Sequence, residues 1–564
     1  MHNIVYLILR RMRRPLIVLI AAYALSVLGL TLIPGIDDQG RPWRMDFFHA
    51  FYFVSFMGST IGFGEIPYPF TDAQRLWTTF SIYVTVIAWL YAIGSLLTIV
   101  QDQRFRRVVA FSAFSRKVLA LREPFYLVCG HGDTGSLLVQ ELAERGITCT
   151  VVDNDEDRIH NLELADLPLF VPGLCADADE VETLKAAGLT HRCCQGVIAI
   201  TDDDAVNLKI AITSKLLRPG LKVICRAESA DTGANMASFG TDHIINPFDA
   251  FADSFAMAFK SPSMHLVYEW ITAIHNAPLE DFVTPPAGKW VLCGYGRFGK
   301  ALWQALRGEE LPVQVIEADP GATRPPPETV TGRGTEAETL EQAGIHEAVG
   351  IIAGTDHDAN NLSMLMTAKA LNPALFTVAR QNQRRNEAIF AASRPDLLMQ
   401  AGTLTARRIL SLIITPLLAD FLELARRQDE DWANILVSRV TGVVTDRSPQ
   451  TWAFSIDAQD TPAVVAEIEG GMAVSIRHLI TDPHAPSNSL ACVPLLLKRG
   501  SMKILVPDTT MQLEPGDQLL FCGNESVHAD MQLTAINFNV LNYVITGEDR
   551  PAGHIWRWLA ASRR

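Results

Sequence analysis

Three short stretches of this chain have residue types and spacing suited to chemistry. The first is Thr60-Ile61-Gly62-Phe63-Gly64-Glu65. Two glycines alternate there with bulky apolar residues, and glycine tolerates the positive φ that turns successive carbonyls to one side. Carbonyls aligned this way, supplied by several chains around one axis, can replace the water around a permeant cation. The plainer alternative is a glycine-containing loop that only joins two helices. The other two stretches are Gly130-His131-Gly132-Asp133-Thr134-Gly135 and Gly294-Tyr295-Gly296-Arg297-Phe298-Gly299. Each has the G-x-G-x-x-G spacing, follows a short apolar run and precedes a helical pattern. In that setting the N–H groups of a helix N-terminus face a pyrophosphate. Asp153 and Glu317 end the next apolar runs, each 18 residues past the last glycine. A carboxylate there accepts from ribose hydroxyls and favours NAD, ADP or AMP over a 2′-phosphorylated nucleotide. Asp133 is an awkward neighbour for phosphate, whereas Arg297, at the matching place, is a good one.

The first stretch must be held by elements of membrane depth. Residues 15–34 and 76–100 carry no charge and are each long enough to cross a bilayer. An aromatic run, residues 47–56, leads into the glycine loop as a short helix. Arg10, Arg11, Arg13 and Arg14 precede the first span, and Arg104, Arg106 and Arg107 follow the second. The excess of basic residues on the outer flanks predicts that both termini lie in the cytoplasm. The length of the first apolar stretch and its lack of a small-residue cleavage pattern speak against a removed signal peptide. Irregular backbone at membrane depth needs burial by protein or a water-filled path, which implies several subunits around one axis. Gly94 is a candidate hinge in the second span, or simply a close-packing glycine. Leu97, with Ile93, Leu96 and Val100, is a candidate apolar gate. No series of spaced arginines of the voltage-sensing kind is present.

The two glycine turns belong to an internal duplication. Gly130 and Gly294 are 164 residues apart, as are Asp153 and Glu317. The turn Thr201-Asp202-Asp203-Asp204-Ala205-Val206-Asn207-Leu208 returns as Thr355-Asp356-His357-Asp358-Ala359-Asn360-Asn361-Leu362 at an offset of 154, and Arg226 returns as Arg380 at the same offset. Asp177 lies in Ala176-Asp177-Ala178, and Arg333 stands at the corresponding place of the second copy. Residues 284–288, Thr-Pro-Pro-Ala-Gly, form the linker between the copies. Residues 404–426 read as two apolar-faced helices broken at Thr415-Pro416, and short strands follow.

Set between two spans, the loop at residues 60–64 resembles the T-V-G-Y-G filter of the two-transmembrane potassium channels, with size-conserving changes at Ile61 and Phe63 and Glu65 in place of the usual Asp. The run from residue 125 to 247 resembles the TrkA-N or RCK domain, on the glycine turn, Ala176-Asp177-Ala178, the Asp-rich turn and Gly240-Thr241-Asp242, in that order. The stretch Leu513-Glu514-Pro515-Gly516-Asp517 is similar to a strand entry of the RCK C-terminal subdomain. The resemblance implies a membrane α-helical pore domain (two transmembrane helices, pore helix and filter) plus α/β: two tandem Rossmann-like RCK N-lobes and one α+β RCK C-lobe. The expected boundaries are 1–105, 106–285, 286–435, 436–545 and a tail, 546–564, whose segment 555–558 reads as a short amphipathic helix. It further implies a homotetramer in the inner (plasma) membrane, carrying eight RCK units. K⁺ would be the permeant ion and NAD and/or ADP the ligands. Asn207, Arg226 and Arg380 join the candidate nucleotide ligands, with an ion pair for Arg226 and a helix cap for Asn207 as the alternatives. Some gating rings of this kind also respond to Ca²⁺, so Ca²⁺ is a further candidate ligand at the acidic clusters 153–157, 202–204 and 429–431, none of which has EF-hand spacing.

Composition agrees with this division. Over 564 residues the net charge is −14, which argues against nucleic acid as a partner. Nine cysteines without a C-x-x-C fit thiols in a reducing compartment better than disulfides or zinc. Two rival functions follow from the same residues: a poorly selective cation channel, given Phe63 and Glu65, and a membrane-anchored NAD-dependent oxidoreductase. The second needs a poised acid or base beside a nicotinamide, and no such constellation is legible.

Overall fold

A computed structural model describes residues 2–273, 284–444 and 447–548. It divides into two compact units, Met1–Lys117 and Val118–Arg564. The proposed tail helix at 555–558 lies outside the described residues.

The first unit is built on two long helices, His2–Leu32 and Asp72–Gln101. Within them, 10–32 and 72–101 are long and apolar enough to cross a membrane. The first helix begins well before the expected span, and Pro15 lies inside it. The two helices meet through small residues and tryptophans. Trp77 Nε1 donates to the Ser26 carbonyl at 3.1 Å, and Trp89 Nε1 to the Tyr23 hydroxyl at 2.8 Å. A Cβ on Gly29 would sit 2.0 Å from the Trp77 ring, so only glycine lets that ring close on the helix. Between them a 12-residue helix, Phe47–Gly58, is capped by Asp46, whose carboxylate accepts from His49 N–H at 2.8 Å. Its Ala50 and Val54 are fully buried with Leu30 of the first helix. The second long helix starts at a capping box made by Thr71 and Gln74 and stops at Asp102, after which Gln103–Leu119 forms a further helix.

The second unit contains two six-stranded parallel sheets with the same topology. In the first, β1 (Phe125–Cys129), β2 (Thr148–Asp153), β3 (Gly173–Cys175), β4 (Cys194–Ala199), β5 (Lys222–Arg226) and β6 (His243–Ile245) lie in the order β3-β2-β1-β4-β5-β6. The strand order reverses beside β1, where such sheets hold ligands at the carboxyl ends of the strands. The second sheet repeats this with β7 (Trp290–Cys293), β8 (Val313–Glu317), β9 (Val330–Thr331), β10 (Gly350–Ala353), β11 (Phe376–Gln381) and β12 (Leu397–Gln400), in the order β9-β8-β7-β10-β11-β12. Central strands buried on both faces explain the continuous apolar runs Val-Cys and Trp-Val-Leu-Cys in the sequence.

The connecting helices are exchanged between the copies. Pro247–Lys260, which follows the first sheet, buries Phe248, Phe251 and Phe255 against Trp290, Leu292 and Phe298 of the second. Ala401–Ile414, which follows the second sheet, buries Ala406, Ile409 and Leu410 against Val128, Leu138 and Ile224 of the first. Each sheet thus depends on the other copy for part of its apolar cover. The chain does break at Thr415-Pro416, where Pro416–Ala425 begins. That helix, Pro262–Thr272 and Glu430–Thr441 form a third core with the final sheet.

The final sheet is antiparallel, in the order Gln450–Ser455, Gln518–Gly523, Cys492–Arg499, Met502–Leu505. The turn at residues 513–517 is pinned by Asp517, whose buried carboxylate takes both Nε and Nη2 of Arg499 at 2.7 Å and Glu514 N–H at 2.8 Å. This bidentate pair orients the strand entry that the sequence signals.

Candidate pore loop and nucleotide sites

The loop after the short helix takes the positive φ that its two glycines allow, and the β-branched Thr60 takes it as well. Thr60, Gly62 and Gly64 take φ of 61°, 68° and 101°, so left-handed residues alternate with Ile61 and Phe63. Ile61 N–H donates to Phe56 O at 3.0 Å, tying the loop to the last turn of the helix. Phe63 stacks edge-on with Phe56 at 5.4 Å, and Phe56 and Phe70 both meet Phe53. Glu65 closes the loop: Arg75 Nε lies 2.8 Å from one carboxylate oxygen, and Phe70 N–H donates to the other at 2.8 Å. The Arg75 partner and the Phe70 N–H hold the Glu65 carboxyl below the usual range. Ile61 and Phe63 remain 62% and 66% exposed on the single chain. Irregular backbone beside membrane-length helices needs burial by protein or a water-filled path. The C-terminus of the short helix, with its partial negative charge, ends at this loop, where it favours a cation.

Gly94 lies in an uninterrupted helix, and its Cβ position meets nothing within 4 Å. Close packing within the chain therefore does not require it. Ile93, Leu96, Leu97 and Val100 are all exposed on the single chain, between 45% and 54%.

In the second unit both glycine turns sit between the central strand and the next helix. Gly130 and Gly294 have φ of 106° and 94°. A Cβ on Gly135 would fall 2.1 Å from Gly130 O, and one on Gly299 would fall 2.0 Å from Gly294 O. The middle glycines, Gly132 and Gly296, are the N-caps of helices Asp133–Glu144 and Arg297–Gly308 and offer no side chain, leaving the first N–H groups open to an anion. The acids close the same loop in both copies. Asp153 accepts from His131 N–H at 2.5 Å and Asp155 N–H at 2.9 Å, and Glu317 accepts from Tyr295 N–H at 2.6 Å and Asp319 N–H at 2.9 Å. Each buried carboxylate thus shapes its glycine loop, and Arg158 also donates to Asp153 at 3.4 Å. His131 is buried with its Nδ1 unpartnered, and burial lowers its pKa. Thr134 and Phe298 are buried, and Tyr295 packs against Trp303.

Several expected ligands turn out to have other partners. Asn207 is fully buried; its Oδ1 accepts from Thr201 N–H and hydroxyl, and its Nδ2 donates to the Thr201 and Arg226 carbonyls. All four of its hydrogen bonds join two strand ends, so it neither caps its helix, which Asp203 does, nor has capacity left for a ligand. Asn361 repeats the clamp. Arg226 pairs with Asp202 at 3.4 Å and closely with Glu228, yet still lines the first cleft. Arg380 is sandwiched over Phe248 and Phe298, at 4.8 and 5.6 Å, and pairs with Asp356 at 2.9 Å. Burial draws its pKa down, and its place is in the seam between the copies. Asp177 is exposed and accepts from Asp179 N–H at 3.1 Å. Arg333 is exposed too.

The acidic clusters are helix caps: Asp155, Asp203 and Asp429 each accept from the first turn of the helix they precede. Among the described residues no three acidic, histidine or cysteine side chains converge as a metal site, so the Ca²⁺ expectation finds no support there. Sequence reasoning missed Arg158. It pairs with Asp153, Asp155 and Asp202, and its guanidinium lies 3.3 Å from where a Cβ on Gly132 would be. Its place on the helix after Asp153 was the available signal; the second copy has Ala322 at the matching position. The first crevice is a cleft of about 510 Å³, lined also by residues 381–385 and 400–403 of the second copy.

Comparison with known families places both units. Residues 16–102 match the ion channel family model, and residues 126–247 and 290–398 each match the TrkA-N domain. The chain thus joins an ion channel domain to two TrkA-N domains. It is 26% identical over 203 residues to potassium channel protein 1 of Methanocaldococcus jannaschii, covering 36% of this chain and 59% of that one. It is also 26% identical over 201 residues to the voltage-gated potassium channel Kch of Escherichia coli, covering 35% and 46%. The aligned stretches thus span about half of these relatives' lengths. Among solved structures, the GsuK channel aligns over 97% of this chain and all of its own, at 15% identity and a TM-score of 0.48. The GsuK channel bound to NAD aligns over 93% and 98%, at 16% identity and a TM-score of 0.44.

Proposed function

We propose that four copies of this chain form a K⁺-selective pore in the plasma membrane, with both termini in the cytoplasm. In this reading the TrkA-N pair acts as a nucleotide-responsive regulator of the pore. The observation that carries the pore reading is the alternation of left-handed φ at Thr60, Gly62 and Gly64. It gives the loop the handedness that lines carbonyls along an axis, and a K⁺ ion would exchange its water for them. The exposed Ile61 and Phe63 supply surfaces for neighbouring subunits to cover. Gly94 and Leu97 supply a bending point and a constriction on the helix that would line the inner pore.

The open helix N-termini at Gly132 and Gly296, with Asp153 and Glu317 at the ribose position, support adenine nucleotides such as ADP or NAD as ligands. GsuK has been solved bound to ADP and bound to NAD. A ligand shifts the gate only through its different affinity for the open and closed forms. Flux from reconstituted vesicles tests the whole reading. K⁺ efflux should exceed Na⁺ efflux, and ADP or NAD should change its rate. Equal K⁺ and Na⁺ flux would favour the poorly selective channel. Flux indifferent to nucleotide would remove the regulatory role.

A further inference from the structure

The two glycine turns face the opposite copy with opposite charge. At the first, Asp133 accepts from Arg384 N–H of the second copy at 2.8 Å. At the second, Arg297 reaches Glu228 of the first copy at 2.8 Å. The walls they contact are related by the 154-residue offset, and their charges are reversed. Glu228 and Asp231 stand in the first copy where Asn382 and Arg385 stand in the second, and Ala230 stands where Arg384 does. The cleft of about 510 Å³ beside the first turn is therefore bounded by Arg384 and Arg385 across from Gly132 and Arg158. Arg158 and Arg226 in this cleft are already neutralised by carboxylates. Arg385 donates instead to the neutral Gln383 side chain at 2.8 Å, and among the described residues neither the Arg384 nor the Arg385 guanidinium has an acidic partner. Two uncompensated guanidiniums opposite an open helix N-terminus are a site for a second anionic group.

We propose that the first nucleotide site is shared between the copies. Arg384 and Arg385 of the second copy bind the distal phosphate of a nucleoside diphosphate whose first phosphate rests on the glycine turn of the first. This deepens the nucleotide reading above and rests on it. The ligand then ties one copy to the other, because its two phosphates are held by different sheets. The second site lacks this device: across from its turn stands Glu228, already paired with Arg297 and Arg226, and no free guanidinium faces a distal phosphate among the described residues. The first site alone therefore distinguishes ADP from AMP by charge, and ADP displaces the contact between Asp133 and Arg384 when it enters.

The test is calorimetric binding of ADP and AMP to the full-length channel in detergent. The background is Gly296→Asp, which sets a carboxylate at the second helix N-terminus, where the Cβ position is open. In that background ADP should bind more tightly than AMP. Adding Arg384→Ala and Arg385→Ala should weaken ADP by about tenfold or more and leave AMP unchanged. Arg384→Lys with Arg385→Lys should restore most of the preference for ADP. ADP binding unchanged in the double alanine variant overturns the proposal while the nucleotide reading stands. Equal loss of ADP and AMP also overturns it, because the arginines then only shape the cleft. ADP binding to the unmodified channel that Gly296→Asp abolishes overturns it by placing nucleotide in the second site alone. If the unmodified channel binds neither nucleotide, the underlying reading itself fails.

Discussion

Within one glycine turn, two substitutions of the same size should have opposite signatures. In the second turn, the Cβ of Gly299→Ala would fall 2.0 Å from Gly294 O. Reaching an ordinary contact of 3.4 Å requires the helix start and the turn to separate by about 1.4 Å. Both are backbone anchored to a buried strand, so overpacking of this kind costs about 1–3 kcal/mol. Gly296 is the reverse case. Its φ is −69°, and its Cβ position meets nothing within 4 Å. Gly296→Ala should change stability by less than about 1 kcal/mol, because the less flexible unfolded chain offsets the weaker N-cap that alanine makes. Its methyl group nevertheless occupies the space over the helix N-terminus where a pyrophosphate would sit. A loss of about 1.4 kcal/mol, tenfold in affinity, is the expected scale for holding the phosphate off its N–H donors. Thermal unfolding and nucleotide titration of the purified channel separate the two effects. Gly299→Ala should lower the melting temperature and Gly296→Ala should not, while only the latter should lose affinity at full stability. If Gly296→Ala binds nucleotide as tightly as the parent, the space over this turn is not the ligand's.

Three other outcomes follow. Asn207→Ala removes four hydrogen bonds at a fully buried site and strands the Thr201 N–H and two carbonyls; a loss of about 3–5 kcal/mol is expected, visible in denaturant unfolding of the channel, and Asn207→Asp, which sets a second carboxylate oxygen against those two carbonyls, should lose at least as much. His131, His243 and His265 all have pKa values drawn below 6.5, chiefly by burial. The unfolded chain therefore takes up protons before the folded one does. Stability is full above pH 6.5 and falls as pH drops below it toward the folded values; melting temperatures measured from pH 7.5 to 5 should fall, and a flat profile would refute this. Burial pushes the thiols of Cys149, Cys225, Cys293 and Cys492 up to about 12. Cys175 and Cys193 are the two partly exposed cysteines. Maleimide should label those two on the native channel, and fast labelling of any of the other seven would show a more open core.

The glycine turns, their acids and the duplication were legible because local backbone constraints leave a mark in residue type. Only glycine fits where a Cβ would fall 2.0 or 2.1 Å from a carbonyl, and the spacing of strand, turn and helix keeps those marks in register. The pore loop was legible for the same reason, since Gly62 and Gly64 take positive φ within a recognisable setting of two apolar helices. The roles of particular charged and amide side chains were not. Asn207 and Arg380 occupy places that read as ligands, yet one is consumed by two strand ends and the other lies between two phenylalanines. Arg158 carried no motif of its own.

What the chain order by itself determined is the set of local frames: two apolar spans, a loop of left-handed residues, and two strand–turn–helix units with an acid at a set distance. Each depends on neighbours a few residues apart, and periodicity records such neighbours. Only the tertiary structure decided that the connecting helices exchange sheets, that Asp133 meets Arg384 and Arg297 meets Glu228, and that one cleft has walls from both copies. Those pairings join residues as much as 251 positions apart, and they arise from burying each helix's apolar face on whichever sheet is open to it. Apolar burial is non-directional, so no local pattern specifies its partner.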